Sequence, residues 1–436
     1  MSDSPKRSFK LTPQRRALLE SMRRQQGLDA LAHDAPAEAA PIEDVAAVAG
    51  AATPPALAGA WVPPALATPS VASQQMAFGL MFFASVDQQT PAANKYTLLL
   101  DAARFADEHG FSCIWTPERH FHGFGGLFPN PAVVSAALAT ITRRLQLRAG
   151  SVISPLHNTL RIAEEWAVVD NLSDGRVAVS FGAGWNVDDF LFFPERFSQR
   201  HAVMFEQIEQ IRQLWRGEAV TLVNSFGKAV DVRIYPQPIQ PELPIWITSS
   251  SSTQNFVSAG AMGANVLTHL IGQDLPTLAG KIQLYREARA RHNHAPQQGT
   301  ITVMLHTYLG PDVEAVKATV RAPFRDYLRS AISLEEKAAI GGGTISGGHK
   351  IDPHHISEDM MEDLLDLTFE RYFHEAALMG TPDGCSQFVQ RLRAIGVDEI
   401  ACLLDFGIEA TAVMRSLEYL NTLRASWSGS APTEIQ

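Results

Sequence analysis

The sequence predicts an α/β protein whose main part is a closed (β/α)8 barrel, that is, a TIM barrel with insertions. From Met76 onward, short apolar runs alternate with amphipathic stretches, and the alternation repeats eight times. Strands that alternate with helices lie parallel, and eight such units close the sheet into a barrel. An open doubly wound sheet is the alternative, but it usually carries a glycine fingerprint after its first strand. No such fingerprint follows Phe83.

The predicted strands are short, mainly apolar runs bounded by turn-forming residues. In chain order they are Phe78–Phe83, Ser112–Thr116, Leu145–Ser151, Arg176–Gly182, Pro244–Thr248, Ala264–Thr268, Ile301–Tyr308 and Glu399–Leu404. The predicted helices carry apolar residues at intervals of three and four, which gives each one a face to bury. They are Asn94–His109, Pro131–Thr142, Asn158–Asn171, Arg200–Arg216, Thr253–Ala261, Leu275–His292, a longer region within Val313–Met379, Pro382–Ile395 and Ala410–Arg424.

Two segments interrupt the repeat. Glu218–Ile234 has the pattern of a small β-hairpin inserted after the fourth helix. Ser333–Asp359 contains two glycine clusters and several histidines, and we expect it to form a mobile loop over one end of the barrel.

Four regions are predicted along the chain. They are a short docking-type helical segment at 1–30, a flexible Ala- and Pro-rich linker at 31–75, the barrel domain at 76–425 and a disordered tail at 426–436. The linker has too few aromatic and β-branched residues to offset the entropy of ordering. A helix as short as the first segment is marginal alone, so it should dock either on this protein's own barrel or on a partner.

Composition and charge exclude several classes of protein. Thirty-six Lys and Arg against forty-six Asp and Glu give a net charge of −10, which repels nucleic-acid phosphates. The N terminus lacks the apolar core of a signal peptide, and no apolar stretch is long enough for a membrane span. The three cysteines show neither disulfide nor zinc spacing. We therefore expect a soluble, cytoplasmic protein with neither a nucleic-acid nor a membrane partner.

Polar residues are concentrated after the strands, where a barrel carries its active site. The second strand is followed by Glu118, Arg119 and His120, which must be paired or functional if they are buried. Ser151 and His157 follow the third strand. The polar residues after the fifth and sixth strands are Ser249–Thr253 and His269. The serine run falls at a predicted helix start, where it could bind a phosphate or merely cap the helix.

A metal site is not expected at these strand ends. Glu118 and His120 alternate as metal ligands can, but only His157 and His269 offer further ligands, and strand-end Asp is lacking. Small polar strand ends together with a phosphate seat instead indicate a barrel that holds a planar, phosphorylated cofactor.

Four longer motifs resemble one known family. They are "WTPERHFHGFGGLFPNP", "GSVISPLHNTLRIAEEWAVVDNLSDGRVAVSFGAGWN", "PIWITSSSSTQNFVSAGAMGANVLTHLIGQ" and "ALMGTPDGCSQFVQRLRAIGVDEI". In this order they resemble the bacterial-luciferase-like flavin-dependent monooxygenases, and most closely the subgroup of natural-product assembly lines. The segment "SFKLTPQRRALLE" near the N terminus is similar to segments between modules of nonribosomal peptide synthetases.

The resemblance implies a cofactor and a set of binding residues. The cofactor would be reduced FMN, supplied by a separate flavin reductase, and O2 would be the cosubstrate through a flavin C4a-peroxide. The residues implied to line the ring are Ser151, Val152, Ser180, Phe181, Gly182 and, less directly, His269. The residues implied near the phosphate are Arg200, Ser250, Thr253 and Gly263.

The motif after the second strand departs from the family. Many relatives read Glu-His-His where this chain reads Glu118-Arg119-His120, and an arginine stays protonated, so it cannot replace a catalytic base. Arg119 could stabilise a peroxide anion or bind an anionic substrate group, while His120 or His157 could manage protons. Alternatively, Glu118 and Arg119 could form a buried structural ion pair.

The predicted function is an FMN-dependent monooxygenase acting on a nonribosomal peptide or polyketide intermediate, held on a carrier protein. Hydroxylation and Baeyer–Villiger insertion both remain open. An aromatic wall should exclude water from the site. Its predicted members are Phe121, Phe124, Phe128, Trp185, Phe190, Phe192 and Phe193. The alternatives are a deazaflavin-dependent reductase or dehydrogenase, or a flavin-binding subunit without turnover. The low charged fraction of 19% and the family both favour a homodimer.

Overall fold

The computed structural model describes residues 75–83, 95–250, 252–340 and 358–428, with only the backbone at 331–340 and 358–360. All of them belong to one compact unit, Pro69–Gln436. The predicted segment at 1–30, nearly all of the linker at 31–75, residues 341–357 of the predicted loop and the chain after 428 lie outside the described residues. Among the described helices, none is long and apolar enough to cross a membrane.

Eight parallel strands close into a barrel, as the sequence predicts. The strands in chain order are β1 (Ala77–Met81), β2 (Cys113–Thr116), β3 (Gln146–Ile153), β4 (Val177–Gly182), β5 (Val220–Val223), β6 (Ala229–Val232), β7 (Ile245–Thr248), β8 (Asn265–His269), β9 (Ile301–Leu309), β10 (Leu378–Gly380) and β11 (Glu399–Leu403). The barrel runs β1-β2-β3-β4-β7-β8-β9-β11, and β11 pairs with β1 to close it. Strands β5 and β6 form the predicted antiparallel hairpin.

Helices cover the outside of the barrel. They are α1 (Thr97–His109), α2 (Pro131–Ile141), α3 (Thr159–Leu172), α4 (Arg200–Trp215), α5 (Thr253–Ala261), α6 (Leu275–Arg291), α7 (Val313–Ile340), α8 (Glu358–Arg371), α9 (Pro382–Ala394) and α10 (Ala410–Trp427). Their ends follow local chemistry: Asn130 caps α2 by accepting from the Val133 N–H, and Gly110 ends α1 in the left-handed conformation.

Three boundaries differ from those expected. The region within Val313–Met379 comprises α7, α8, a π-helical turn and β10, a short strand that adds to β9. The loop expected from Ser333 begins later, because α7 continues to Ile340. Helix α10 ends at Trp427, whose carbonyl accepts from the Met76 N–H, so it reaches past the expected domain end at 425.

Strand alternation divides the core into two layers. Residues facing the helices form the larger cluster, while a smaller cluster fills the barrel interior. The interior cluster is Met81, Cys113, Trp115, Ala178, Trp246, Leu267, Met304, Ala401 and Leu403. Since side chains alternate along a strand, the next interior position of several strands is polar. The interior of the barrel therefore changes from apolar to polar towards the carboxyl ends of the strands.

A buried ion pair closes the other end of the interior. The Arg148 guanidinium donates to Glu399 Oε1 at 2.7 Å, and its carbon lies 4.9 and 4.3 Å from the ring centres of Trp115 and Trp246. The Thr302 hydroxyl donates to the same carboxylate oxygen. Because the charged groups are paired and hydrogen-bonded, this end of the barrel tolerates them without access to water.

Candidate active site

Three hydroxyl groups from three strands meet inside the carboxyl end of the barrel. Thr248 Oγ1 lies 2.5 Å from Ser151 Oγ and 2.6 Å from Ser180 Oγ. An irregularity in the β3–β4 register between Gly150 and Val152 accompanies the placement of Ser151 beside Thr248. Ser151 and Ser180 were predicted to bind the cofactor, whereas Thr248 was not singled out. The sequence could have indicated Thr248, because it is the last residue of β7 and directly precedes the serine run.

Two side chains predicted to contact the flavin ring, Val152 and Phe181, point out of the barrel interior. Val152 and Phe181 are paired across β3 and β4, and both side chains are buried in the layer between the barrel and its helices. Their side chains cannot line a ligand inside the barrel, because successive residues of a strand point to opposite faces. Gly182 is the next interior position of β4, and a side chain there would crowd Ile153 and Ser151.

Glu118 binds two histidines rather than the neighbouring arginine. Its Oε1 lies 2.7 Å from His120 Nε2 and 2.5 Å from His157 Nε2. Its Oε2 accepts from the Ile153 backbone N–H at 2.8 Å. The hypothesis of a Glu118–Arg119 ion pair is therefore wrong. The carboxylate instead joins the loop after β2 to the end of β3.

The hydrogen bonds set the ionisation of this cluster. Burial acts to raise the pKa of Glu118, but the hydrogen bonds from His120, His157 and the Ile153 N–H hold that pKa below its usual value. Burial acts to lower the pKa of His157, and the hydrogen bond and negative charge of Glu118 outweigh it and raise that pKa. The cluster thus keeps a carboxylate ionised and favours a proton on His157.

The same three residues could in principle hold a metal ion, since one ligand atom from each lies within 4.8 Å of the others. Ligand atoms about 2.1 Å from a tetrahedral zinc are roughly 3.4 Å apart. Both histidine nitrogens here lie at hydrogen-bond distance, 2.5 and 2.7 Å, from one oxygen of Glu118. We therefore interpret the three residues as a hydrogen-bonded cluster.

Arg119 is enclosed by aromatic rings. Its guanidinium carbon lies 4.3 Å from the ring centre of Phe83, 5.4 Å from that of Phe124 and 5.9 Å from that of Trp185. Its Nε is buried and has no hydrogen-bond partner among the described residues. Burial lowers the pKa of Arg119, although the group stays protonated at ordinary pH. Cation–π contacts stabilise this charge in place of a carboxylate.

Asp189 lies near this cage and was not predicted. Burial raises the pKa of its carboxyl to about 6, against smaller opposing effects of His120, Asn186 and Arg119. Its Oδ1 accepts from the side-chain amide of Asn186 at 2.8 Å. A carboxyl group that titrates near neutrality is uncommon away from functional sites. Asp189 lies in a short 3-10 helix after β4, Val187–Phe192, which is too short to give a periodic pattern in the sequence.

The predicted aromatic wall is only partly enclosed. Phe124, Phe128 and Phe190 are buried, and Phe124 contacts the Arg119 guanidinium. Phe121 and Phe192 are 63% and 48% exposed, and their ring centres are 5.4 Å apart. Phe192 also packs edge-on against His120. The wall therefore has a buried part beside Arg119 and an open part above His120.

The predicted phosphate seat lies where α5 begins. Thr253 is the first residue of this helix, and the Ser252 side chain caps it by accepting from the Asn255 N–H. Ser250 lies in the bend just before the helix. The first N–H groups of a helix have no partner within it, so they are available to an anion. Arg200 is partly committed elsewhere, since it donates to the backbone carbonyl oxygens of Gly184 and Phe197.

Gly263 does not belong to this seat. It lies between the end of α5 and the start of β8, together with the first residue of β7, Ile245. This is the amino end of the barrel strands. Helix α5 runs from one end of the barrel to the other, and its nine residues span about 14 Å. The prediction for Gly263 is therefore wrong.

Two interior histidines and an aspartate complete the carboxyl end. Burial lowers the pKa of His269 to about 4 and that of His306 to about 3, so both rings are neutral. His306 was not predicted, and its Nε2 is buried without a partner among the described residues. Asp405 follows β11 and accepts from the Phe83 N–H at 2.8 Å. The expectation that no strand ends in Asp is wrong.

The chain belongs to the luciferase-like monooxygenase family, which it matches over residues 76–399. This membership, and with it the prediction of a flavin-dependent monooxygenase, is confirmed. The chain is 26% identical over 363 residues to the oxygenase component of the flavin-dependent trigonelline monooxygenase of Acinetobacter baylyi, covering 79% of this chain and 93% of that one. It is 32% identical over 188 residues to the F420-dependent glucose-6-phosphate dehydrogenase of Amycolatopsis mediterranei, covering 41% and 55%.

Solved structures show the same fold. The monooxygenase RslO1 from Streptomyces bottropensis superimposes with a TM-score of 0.66 at 24% identity, covering 80% of this chain and 99% of that chain. The oxygenating constituent of 3,6-diketocamphane monooxygenase from Pseudomonas putida, solved with FMN, gives 0.64 at 17% identity, covering 81% and 98%.

Proposed function

We propose that the protein is the oxygenase component of a two-component monooxygenase that uses reduced FMN and O2. The observation that carries this proposal is the polar carboxyl end of the barrel, where Ser151, Thr248 and Ser180 form one chain of hydroxyl groups. This chain lies in the part of the fold where barrel enzymes hold their ligands. The relative whose name describes an oxygenase component supports a separate flavin reductase as partner.

The described residues fit a phosphorylated flavin. The three hydroxyl groups can donate to and accept from the polar edge of a planar ring, and Gly182 leaves room beside them. The start of α5, with Ser250 and Thr253, offers hydroxyls and unpaired N–H groups to a phosphate. Reduced FMN bound here would activate O2, delivering one oxygen atom to the substrate and the other to water.

The residues of the cluster have separate roles in this proposal. His157 holds a proton at Nε2 against the Glu118 carboxylate and can transfer it during the reaction. His120 binds the same carboxylate and faces the open part of the aromatic wall. The rings of Phe83 and Phe124 beside Arg119 limit the access of water to the reacting groups.

The finer parts of the function remain proposals. We infer a substrate from nonribosomal peptide or polyketide biosynthesis, carried on a carrier protein, because the N-terminal segment is similar to those between synthetase modules. We also propose a homodimer in the cytoplasm. The segment at 1–30 and the linker at 31–75 would connect the enzyme to its carrier partner.

Anaerobic titration with reduced FMN, followed by rapid mixing with O2, tests the oxygenase proposal. We expect saturable binding and an absorbing transient distinct from both reduced and oxidised flavin. The transient should decay more slowly than free reduced FMN is reoxidised when it is mixed with O2 under the same conditions. Binding absent, or reoxidation identical to that of free flavin, would contradict the proposal.

A second candidate is F420-dependent hydride transfer, since one relative is an F420-dependent dehydrogenase. The same titration with reduced F420 decides between the two. Tight binding of F420, with weak binding of reduced FMN and no O2 consumption, would favour the dehydrogenase. We expect the reverse order of affinities.

A further inference from the structure

We propose that Arg119 is a specificity-determining residue that binds an oxyanion of the substrate, a carboxylate or a phosphate. That the bound anion is a substrate rests on the proposed function. The binding of the anion itself requires neither flavin nor O2. Among the described residues, Arg119 and Arg148 each lie over two or more aromatic rings, and of these two only Arg148 has a carboxylate partner. Arg148 pairs with Glu399 at 2.7 Å, whereas Arg119 forms no ion pair in the part of the chain that the structure describes.

The carboxylates near Arg119 are engaged elsewhere. Glu118 accepts from His120, His157 and the Ile153 N–H. Asp189 accepts from Asn186 and influences Arg119 only through its charge. A charged group shielded from water is costly when it has no partner of opposite charge, and an oxyanion of a ligand would supply that partner to Arg119.

Arg119 borders a cavity at the loop after β2. The cavity has a volume of about 380 Å³ and is lined by Arg119, His120, Phe121, His122, Gly123, Gly126 and Pro129. This volume lies within the range of small-molecule sites. Its lining combines one permanent cation with an aromatic ring and histidines. It therefore suits an acid with an apolar body better than a neutral polar molecule.

The planar guanidinium of Arg119 is well suited to bind an oxyanion. Its donors match two oxygens of a carboxylate or phosphate, and the rings of Phe83 and Phe124 hold its plane. Gly125 packs on its stem, since a Cβ there would lie 2.8 Å from Arg119 Cγ, and its φ of 73° also excludes most side chains. The loop after β2 thus fixes the arginine in one orientation.

Calorimetric titration of the flavin-free full chain with matched probes tests the proposal. The probes are 4-phenylbutyrate, its neutral amide 4-phenylbutyramide, and phenyl phosphate. We expect the wild type to bind at least one anion with a Kd about tenfold or more below that of the amide. In R119M the anion and the amide should bind within about twofold of each other, and R119K should retain part of the preference because it keeps the charge. Comparison of the two anions distinguishes a carboxylate from a phosphate.

The control must show that the preference for the anion does not come from binding at the start of α5. The variant S250A/T253A removes two hydroxyls from the start of α5 and should keep the preference for the anion. If S250A/T253A loses the preference and R119M keeps it, the proposal is overturned. It is also overturned if wild type binds anion and amide equally, or binds neither anion at about 10 mM. These outcomes do not depend on whether the protein binds FMN.

Thermal stability separates a ligand-binding arginine from a structural one. Methionine fills a similar volume without a charge, so R119M should melt at a higher temperature than the wild type. The matched control R148M leaves Glu399 buried without its partner and should melt at a lower temperature. A lower melting temperature for R119M, together with unchanged anion preference, would assign Arg119 a purely structural role.

Discussion

At the residue scale, the site depends on which partner each charged side chain has. Glu118, with two histidines and a backbone N–H, is stabilised as an anion and raises the pKa of His157. Asp189 is partly buried and has fewer partners, and burial is the main cause that raises its pKa to about 6. Arg119 has aromatic rings in place of a counterion. Three charged groups in one region thus acquire three different chemical properties from their surroundings.

The stability of the protein should report the ionisation of Asp189. Because its folded pKa is raised above the ordinary value of 3.8, the folded state binds this proton more tightly than the unfolded state. The resulting stability is complete at low pH and is lost as the pH rises through about 6. The melting temperature of the wild type relative to D189N should therefore fall between about pH 4 and about pH 6 and stay level above that range.

The neighbouring exposed residue Asp188 provides a control for this comparison. D188N measures the effect of removing a carboxylate from the surface of the same short turn. A difference between wild type and D189N that stays constant over this pH range would show that Asp189 does not titrate there.

At the element scale, the ends of strands and helices supply the candidate binding groups. The register irregularity in β3 accompanies an inward Ser151, and β7 ends in Thr248. Helix α5 begins directly after the serine run and is capped by Ser252. The proposed phosphate site therefore lies in the β7–α5 connection, where its residues can be changed without altering the strands.

Replacing Ser250 and Thr253 together with Ala should weaken the binding of FMN. The loss of two hydroxyl hydrogen bonds to a phosphate corresponds to about 1–3 kcal/mol. The matched control is S258A, a hydroxyl removed from the middle of the same helix. Fluorescence titration should show a higher Kd for the double variant and an unchanged Kd for the control. An unchanged affinity in the double variant would place the phosphate elsewhere.

At the scale of the whole molecule, the described part of the chain forms a closed barrel. Strand β1 pairs with β2 and β11, and the Met76 N–H donates to the Trp427 carbonyl, which joins the first strand to the last helix. The ion pair of Arg148 and Glu399 links β3 with β11 across the interior. These contacts close the barrel within residues 76–428.

Deletion of residues 1–75 should leave a folded barrel that still binds flavin. The reason is that every barrel strand lies after the deleted segment. Turnover of a carrier-bound substrate should fall, while turnover of the free substrate should not. Circular dichroism and flavin titration check the fold, and paired assays check the docking role. A truncated protein that fails to fold would favour the alternative that the helix predicted within residues 1–30 packs on this protein's own barrel.

The sequence alone determined the eight strands, most of the helix bounds and the strand-end positions of Glu118, His120 and Ser151, because periodicity and turn chemistry act locally. It did not determine which groups meet. Glu118 and His157 are 39 residues apart, and only closure of the barrel brings them together. The inward or outward direction of Val152 and the distance of Gly263 from the phosphate seat likewise depend on register and helix direction. The tertiary structure also decided that Arg119 lies among rings without a carboxylate, since burial and pairing belong to the packed chain and not to any local segment.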